Sequence, residues 1–356
     1  MSQKNSIKNW VITIVALIIV ALIGAGAYAG RIKETTPAQT TALSSSAGQT
    51  AKPAGKELLP VKTWTRKDCT LTQWLVTEKL GYFAEEGIKL VFTGETQPAQ
   101  QLPSILSGEN DVGDWHPNTV AVAKAGGAKL IGVAPAYIEP GPDADIIFRH
   151  MWWFINPKSG VKSFSDLKNK PGKIKFSTIT KNICADFLGN LIADKYGVPR
   201  DKIEWVTMPD IQAIQAVKNG LIDVAGVHPP FYKGMLEAGM VKIADSSDAG
   251  LTGPTAGIGG YFFSEDFVRK NPETVRRFVR AIIRGQKWAN EHPDQAAKWT
   301  KEAIGMPVTG VHYYSETSKI DEASIAPWIT ELENGAVIPK GKITPADLVT
   351  HEFEFN

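Results

Sequence analysis

The chain has 356 residues, more than the roughly 250–300 that one hydrophobic core usually supports, so we expect at least two compact units. Its composition, 43% hydrophobic and 21% charged, is that of a globular protein and excludes general disorder. The formal net charge is +2 and no basic stripe alternates with aromatic residues, which argues against nucleic acid as a partner.

The N-terminus has the features of an export signal. Lys4 and Lys8 precede an apolar run over residues 10–29, and its last three residues have the small-x-small form of a signal-peptidase site. The run is about 20 residues long, which also suffices to span a bilayer. We therefore predict a signal peptide or an N-terminal membrane anchor at 1–29, and leave the two open. Either one places the protein in the periplasm or at the extracellular face of the cell membrane.

Residues 30–58 are rich in Thr, Ser, Ala and Pro and offer almost nothing to bury. This composition predicts a flexible linker, either a tether for the following domain or a remnant of the leader. Only two cysteines follow, Cys69 and Cys184, and a fold of this size needs no disulfide. We predict free thiols.

From residue 59 onward, short β-like runs alternate with helical patterns, which is typical of βαβ units around a parallel sheet. The first half predicts strands at 61–64, 88–92, 111–115 and 129–133, separated by helices at about 71–80, 98–106 and 118–125. The alternation restarts with strands at 173–177, 203–206, 222–227 and 241–244, and helices at 182–196, 211–218 and 232–238.

The last third is more helical. Asn271 and Pro272 form an N-cap and first-turn proline, and an apolar stripe follows at Val275, Phe278, Val279 and Ile282. Another face of this helix carries Arg276, Arg280 and Arg284. We predict a solvated surface there, with a docking patch for a partner as the alternative.

Residues 107–117 match residues 219–229 at a constant offset. The pairs are Gly108 with Gly220, Asp111 with Asp223, Val112 with Val224, His116 with His228 and Pro117 with Pro229, while Gln100 matches Gln212 upstream. This repeat predicts two similarly built lobes. Because ligands bind where strands end and helices begin, both histidines are expected to face one cleft. The alternative is that each histidine only caps its own helix.

Several short motifs then resemble a known family. They are GYFAEEG at 81–87, the Gly-x-x-Asp start at 108–111, SFSDLK at 163–168, and the Asn-Pro and Glu-His-Pro-Asp segments at 271–272 and 291–294. In this order, over residues 59–356, they resemble substrate-binding proteins of ABC transporters. The nitrate/sulfonate/taurine-type branch, whose fold thiamine-precursor binders share, is the most similar.

The resemblance implies a type II periplasmic-binding-protein fold, α/β, with two lobes joined by two crossover strands near 148–155 and 257–263, and closure by a hinge motion. Lobe one would comprise 59–148 plus 260–356, and lobe two 152–256. It further implies a monomer that binds a small-molecule ligand, with an ABC permease and its ATPase subunits as partners. Neither catalysis nor a cofactor is expected.

We predict ligand contacts from the loops that face the cleft. These are Trp64, Arg66, Cys69, Thr70, Trp115, His116 and Tyr137 in lobe one, Thr178, Thr180, Lys181, Asn182, His228 and Phe231 in lobe two, and Tyr261 at the return crossover. The loop at 177–182 combines hydroxyls, a helix start and a lysine, which suits an anion. The aromatic residues suit an apolar or ring-shaped body.

These features predict a small organic anion, sulfonate- or carboxylate-like, as the ligand. A thiamine-precursor-like heterocycle is one alternative. A metal held by His116 and His228 is another, although no local ligand spacing supports it. No Gly-x-Ser-x-Gly or His-Glu-x-x-His motif occurs, so a hydrolase is disfavoured, and the cysteine-rich iron motif of the pyrimidine-precursor synthases that share the fold is absent. A ligand-sensing domain tethered to the membrane is a further alternative.

Overall fold

The computed structural model describes residues 58–251, 253–305, 307–308 and 310–356. The predicted signal peptide or anchor at 1–29 lies outside these residues, and so does the predicted linker at 30–58 except for its last residue. No helix in the described ranges combines the length and the apolar character that crossing a bilayer requires.

The strands of the first lobe come from distant parts of the chain. β1 (Leu59–Thr65) pairs in parallel with β2 (Ile88–Glu95). β10 (Gly260–Ser264) lies between β3 (Val112–Trp115) and β4 (Leu130–Pro135) and runs antiparallel to both. Every residue of β3 is buried, including the charged Asp114.

The second lobe contains a five-stranded sheet. β6 (Ile174–Thr178) pairs in parallel with β7 (Ile203–Thr207) on one side and β8 (Val224–Val227) on the other. β5 (Trp152–Ile155) then lies antiparallel between β8 and β9 (Val241–Asp245). The parallel strands match the predicted βαβ rhythm.

Two antiparallel strands cross between the lobes. β5 follows the strands of the first lobe in sequence but joins the five-stranded sheet, and β10 follows the strands of the second lobe but lies in the three-stranded sheet with β3 and β4. These two strands occupy the places expected for the crossovers. The exact lobe boundaries, 59–148 plus 260–356 and 152–256, stay predictions.

Asp111 and Asp223 make equivalent contacts in the two lobes. The Asp111 carboxylate accepts a hydrogen bond from the Lys62 N–H at 2.8 Å, and the Asp111 N–H donates to the Lys62 carbonyl at 2.9 Å. Asp223 repeats both contacts with Lys175, at 2.8 and 2.9 Å. Each aspartate therefore fixes the start of a strand that ends in a His-Pro pair, and the sequence repeat corresponds to a repeated local structure.

The helices alternate with these strands and then dominate the C-terminal third. In chain order they are α1 (Thr72–Lys79), α2 (Tyr82–Glu85), α3 (Pro98–Ser107), α4 (Pro117–Ala125), α5 (Cys184–Tyr196), α6 (Asp210–Lys218), α7 (Tyr232–Glu237), α8 (Glu265–Lys270), α9 (Pro272–Glu291), α10 (Pro293–Ile304), α11 (Glu322–Asn334) and α12 (Pro345–Leu348). The long helix α9 packs against α1 and α2 and covers the outer face of the first lobe.

The apolar stripe predicted on α9 is buried at all four positions. Its arginine row forms ion pairs with neighbouring acidic residues: Arg280 Nη2 lies 2.8 Å from Glu86 Oε2, and Arg284 Nη2 lies 2.7 Å from Glu85 Oε2. The row was predicted to be a solvated surface, but it also connects α9 to α2. Such partly exposed pairs each contribute little, typically about 0–1 kcal/mol.

Candidate functional site

A cavity of about 620 Å³ opens between the lobes where the strands end. The first lobe supplies the loops after β1 and β3 and one side each of α3 and α4, and the second lobe supplies the loop between β6 and α5. The α3–α4 side is apolar, with Pro98, Ala99, Leu102, Leu106, Val122 and Ala123 in its wall. Four histidines and both cysteines also line the cavity, and all six side chains are buried.

His116 and His228 occupy equivalent junctions and both reach the cavity. Each has extended backbone geometry directly before a first-turn proline, and in neither case does the described structure show the side chain capping the following turn. His116 Nδ1 lies 2.6 Å from the Ile258 carbonyl oxygen, whereas His228 Nδ1 lies 2.6 Å from Asp210 Oδ2. Two outside partners therefore orient the two rings, and the capping alternative is not what the structure shows.

Two further histidines, His150 and His312, complete a cluster of four buried imidazoles. Their rings stack with centroids 4.9 Å apart and an interplanar angle of 19°. The ring centroid of His150 lies 4.9 Å from that of His116 and 5.3 Å from that of His228. Neither ring nitrogen of His150 has a hydrogen-bond partner among the described residues. Four of the six histidines of the chain thus meet at one place.

The two cysteines border the same cluster as free thiols. Cys184 Sγ lies 3.2 Å from His228 Nε2. Burial would raise the pKa of Cys184, but His116 and His228 outweigh it and lower that pKa to about 6. Burial raises the pKa of Cys69 to about 12 despite the opposing effect of His228. The two thiols therefore differ in charge state near neutral pH.

The histidine protonation states follow from burial and from neighbouring charges. Burial, followed by the charge of His312, holds the pKa of His150 well below its usual value, and burial together with His228 does the same for His312. Burial would also lower the pKa of His228, but Cys69 and Asp210 raise it well above the usual value. His150 and His312 are accordingly neutral imidazoles at neutral pH.

Different contacts place His150 and His312. The His150 N–H donates to Glu139 Oε2 at 2.9 Å. The segment that carries His312 runs antiparallel to the segment at Tyr137, with a bridge between Tyr137 and Tyr314. Gly259 lets the Tyr137 ring fit beneath it, because a Cβ there would lie 2.2 Å from a ring carbon.

Ten of the fourteen predicted contact residues line the cavity. They are Trp64, Cys69, Thr70, Trp115, His116, Tyr137, Thr180, Lys181, Asn182 and His228. The Trp64 and Trp115 rings pack with centroids 5.0 Å apart and form an aromatic wall. Whether any of these residues contacts a ligand stays a prediction.

The structure does not bring the other four to the cavity wall, which corrects the predicted set. The Arg66 guanidinium is paired with Asp114 and lies 4.3 Å from the ring centroids of both Trp64 and Trp74. Tyr261 is in the core of the first lobe, where its hydroxyl donates to Gln286. Phe231 packs in the core of the second lobe, and the Thr178 hydroxyl donates to the Thr180 carbonyl.

The loop at 177–182 retains fewer free donors than its sequence predicts. Asp186, in the first turn of α5, accepts hydrogen bonds from the N–H groups of Asn182 and Ile183 at 2.6 and 2.7 Å. The Ser177 hydroxyl is bonded to the backbone of Gly226. A carboxylate therefore already occupies this helix start. Thr180, Lys181 and Asn182 are the polar residues of the loop that line the cavity.

Sequence reasoning missed His150, His312 and Cys184 as members of the site. No local motif marks the two histidines: His150 precedes the crossover strand, and His312 lies in an irregular segment. The available signal was their rarity, since the chain has only six histidines and two cysteines. Six of these eight residues lie in the cavity wall.

Comparison with known proteins gives one family. A family model described as NMT1/THI5 like matches residues 69–296, which is more than half of the chain. A relative from Brucella abortus (strain 2308), provisionally named a binding protein, is 24% identical over 264 residues. The alignment covers 73% of this chain and 70% of that protein.

Solved structures share the fold at low identity. The periplasmic nitrate-binding protein NrtA from Synechocystis PCC 6803 aligns with a TM-score of 0.66 at 12% identity, over 83% of this chain and 87% of that one. The periplasmic aliphatic sulphonate-binding protein SsuA from Escherichia coli aligns with a TM-score of 0.62 at 15% identity, over 84% of this chain and 94% of that one. The desulfurization enzyme DSZB aligns with a TM-score of 0.57 at 10% identity, over 83% of this chain and 97% of that one.

These similarities confirm the predicted two-lobed type II fold and the predicted resemblance to nitrate- and sulfonate-type binding proteins. The same fold also carries an enzyme, so the fold alone does not exclude catalysis.

Proposed function

This chain belongs to the NMT1/THI5-like family, and from that membership we propose that it is an extracytoplasmic solute-binding protein that delivers a small molecule to an ABC importer. The observation that carries the proposal is the cavity of about 620 Å³ with walls from both lobes. A ligand that touches both walls stabilises the closed arrangement, which a permease can then recognise. Its permease and ATPase subunits are the proposed partners, and the protein itself acts as a monomer.

We propose a small organic anion with an apolar or ring-shaped part as the solute. The apolar side along α3 and α4 and the Trp64–Trp115 pair suit such a body. Lys181 supplies a cationic group in the described wall. Asp68 also lines the cavity, so the anionic group is expected to contact Lys181 and not that carboxylate.

The proposed location is the periplasm or the extracellular face of the membrane, in line with the binding-protein fold and the apolar N-terminal run. Residues 1–29 would act as a cleaved signal peptide or as a retained anchor. The intact mass of the protein recovered from its own host separates these two possibilities, because cleavage after residue 29 removes the whole run.

Native mass spectrometry of the freshly purified protein, followed by a thermal-shift screen, tests the solute. The screen contains organic sulfonates, carboxylates and heterocyclic cations of similar size. We expect Tm to rise only with the anions, and Lys181→Ala to weaken their binding about tenfold, the equivalent of roughly 1.4 kcal/mol.

The matched control is Lys298→Ala, which removes an exposed lysine on α10 outside the cavity wall and should leave the shift unchanged. Stabilisation by neutral or cationic compounds alone would contradict the anion assignment. A heterocyclic cation among the stabilisers would favour the thiamine-precursor-like alternative.

A further inference from the structure

The histidines and cysteines of the cavity form two interlocked donor groups. Cys69, His228 and His312 offer donor atoms that all lie within 4.8 Å of one another. His116, His150 and Cys184 form a second group that meets the same limit, and all six side chains are buried. Cys184 and His228 touch across the groups at 3.2 Å, so the six residues constitute one continuous cluster.

We propose that this Cys2His4 cluster binds a thiophilic transition-metal ion, Zn²⁺ or Cu⁺. Thiolate and imidazole are the donors that these ions prefer, and both ions accept tetrahedral coordination. A cluster without carbonyl or carboxylate oxygens excludes Mg²⁺ and Ca²⁺ as the preferred occupants. The inference goes beyond the proposed function, because it concerns an ion and holds whether or not an organic solute enters the apolar side of the cavity.

The contacts of the two junction histidines support this assignment. Metal-bound histidines usually engage their second ring nitrogen with a carboxylate or a backbone carbonyl, which fixes the tautomer and the ring orientation. His228 does so with Asp210 and His116 with the Ile258 carbonyl, both at 2.6 Å. In both residues it is Nδ1 that is engaged, so Nε2 is left for the cluster.

His150 provides an independent observation. Its side chain is buried and neither ring nitrogen has a partner among the described residues. Buried polar atoms without partners are rare in native proteins, because they lose their hydrogen bonds to water without replacement. An ion at the cluster would satisfy one of these nitrogens.

A catalytic thiol is the competing interpretation of part of this cluster. The contacts resemble those of a nucleophile, a base and an orienting carboxylate: the Cys184 thiol contacts His228, and His228 contacts Asp210. That interpretation leaves Cys69, His116, His150 and His312 without a role. One tetrahedral ion uses four of the six donors, and two ions, one at each donor group, use all six. The metal site therefore accounts for more of the structure.

Cobalt spectroscopy on the chelator-treated, reduced full-length protein tests the site. Co²⁺ is the probe for zinc, and we expect a thiolate-to-cobalt absorption band in the near ultraviolet that Zn²⁺ abolishes by displacement. Competition against a chromophoric Cu⁺ chelator measures Cu⁺ affinity. Elemental analysis by mass spectrometry gives the stoichiometry, with one or two ions per chain both supporting the cluster.

Cys184→Ser should remove or weaken the cobalt band, and His312→Gln should lower metal affinity while the band persists. Asp210→Asn should weaken binding about 10–100-fold, as removal of such an orienting partner typically does. His351→Ala is the control: this histidine lies on the surface between Glu322 and Glu354 and should change nothing. Circular dichroism of each variant shows whether it folds. If Cys184→Ser does not fold, His312→Gln still tests the site.

The proposal fails if wild-type protein gives neither a thiolate-to-cobalt band nor measurable Cu⁺ affinity, or if His351→Ala costs as much affinity as His312→Gln. It also fails if Cys184 reacts rapidly with iodoacetamide and neither Zn²⁺ nor Cu⁺ slows the reaction, which would favour the catalytic thiol. Repeating the anion screen on metal-free protein separates this result from the proposed function, since anions that stabilise metal-free protein leave the solute-binding role intact.

Discussion

Arg66 and Asp114 form an ion pair from which solvent is fully excluded, with Arg66 Nη2 2.8 Å from Asp114 Oδ1. The guanidinium lies between the rings of Trp64 and Trp74, and the Trp74 indole N–H also donates to Asp114. Asp114 and Trp64 line the cavity but Arg66 does not. The arginine therefore supports the cavity wall from behind instead of offering its charge to a ligand.

Removing Arg66 should be costly for stability. Arg66→Met leaves the Asp114 carboxylate buried without its counter-ion, and we expect a loss of about 3–5 kcal/mol in the free energy of unfolding. Urea denaturation followed by circular dichroism measures it. The double variant Arg66→Met, Asp114→Leu should recover much of the loss because it removes the isolated charge.

The matched control for this prediction is Lys67→Met, which breaks an exposed pair with Glu95 and should cost less than about 1 kcal/mol. Equal losses in Arg66→Met and Lys67→Met would show that burial of the Arg66–Asp114 pair has no energetic consequence.

A single methyl group at Gly259 should disturb the cavity. In Gly259→Ala the new Cβ would overlap the Tyr137 ring, which is in turn stacked on His312 with centroids 5.1 Å apart. We expect a loss of about 1–3 kcal/mol in stability, as for other overpacked sites, and at least tenfold weaker binding of any molecule found to occupy the cavity. Thermal denaturation and calorimetric titration measure the two effects.

Gly141→Ala serves as the control, because a Cβ there meets no atom within 4 Å and the backbone is not in the left-handed region. If both alanine variants behave like the wild type, Tyr137 has room that the structure does not show.

Asp111 and Asp223 occupy equivalent positions but should contribute different amounts to the free energy of unfolding. Asp111 and Asp223 make the same backbone contacts, but their side chains are 9% and 24% exposed. We expect Asp111→Ala to cost about 1–3 kcal/mol, because a partly buried N–H of Lys62 loses its acceptor, and Asp223→Ala to cost less because the Lys175 N–H is exposed. Denaturant unfolding of both variants in parallel gives the comparison, and a larger loss in Asp223→Ala would refute this ranking.

Trp328 should act as a structural link between the lobes. Its ring stacks on His116 at 4.8 Å and on Phe187 of the second lobe at 4.0 Å, and its indole N–H donates to the Thr255 carbonyl at 2.7 Å. Trp328→Ala should destabilise the protein by about 3–5 kcal/mol, as is typical of large aromatic side chains in cores.

Differential scanning calorimetry should show this loss as a lower Tm. Leu221→Ala, at a position 67% exposed, is the control and should leave Tm within a degree or two of the wild type. A Trp328→Ala variant with wild-type Tm would mean that the Trp328 stack does not hold the lobes together.

The sequence was sufficient to predict the alternation of strands and helices, the two-lobed fold and the paired His-Pro junctions, because each depends on short-range pattern or on a repeat. The positions of His150 and His312 depend on contacts between segments far apart in the chain, such as the bridge between Tyr137 and Tyr314. Local periodicity carries no information about such contacts.

The loop at 177–182 shows a second limit. Its hydroxyls and helix start are an anion site by composition, yet Asp186 and the backbone of Gly226 take up most of the donors. Arg66 shows the same effect, since its partner Asp114 lies on another strand. A residue type indicates what a side chain can bind, whereas its buried neighbours determine whether it is free to do so.

The central position of β10 in the three-stranded sheet determines the order in which the protein can be completed during synthesis. All strands of the five-stranded sheet are made before residues 260–264, so the second lobe can assemble while β3 and β4 still lack the strand that separates them. Until then both strands present unpaired edges, which favour association with other chains. A chain that stops short of β10 would keep those edges permanently exposed.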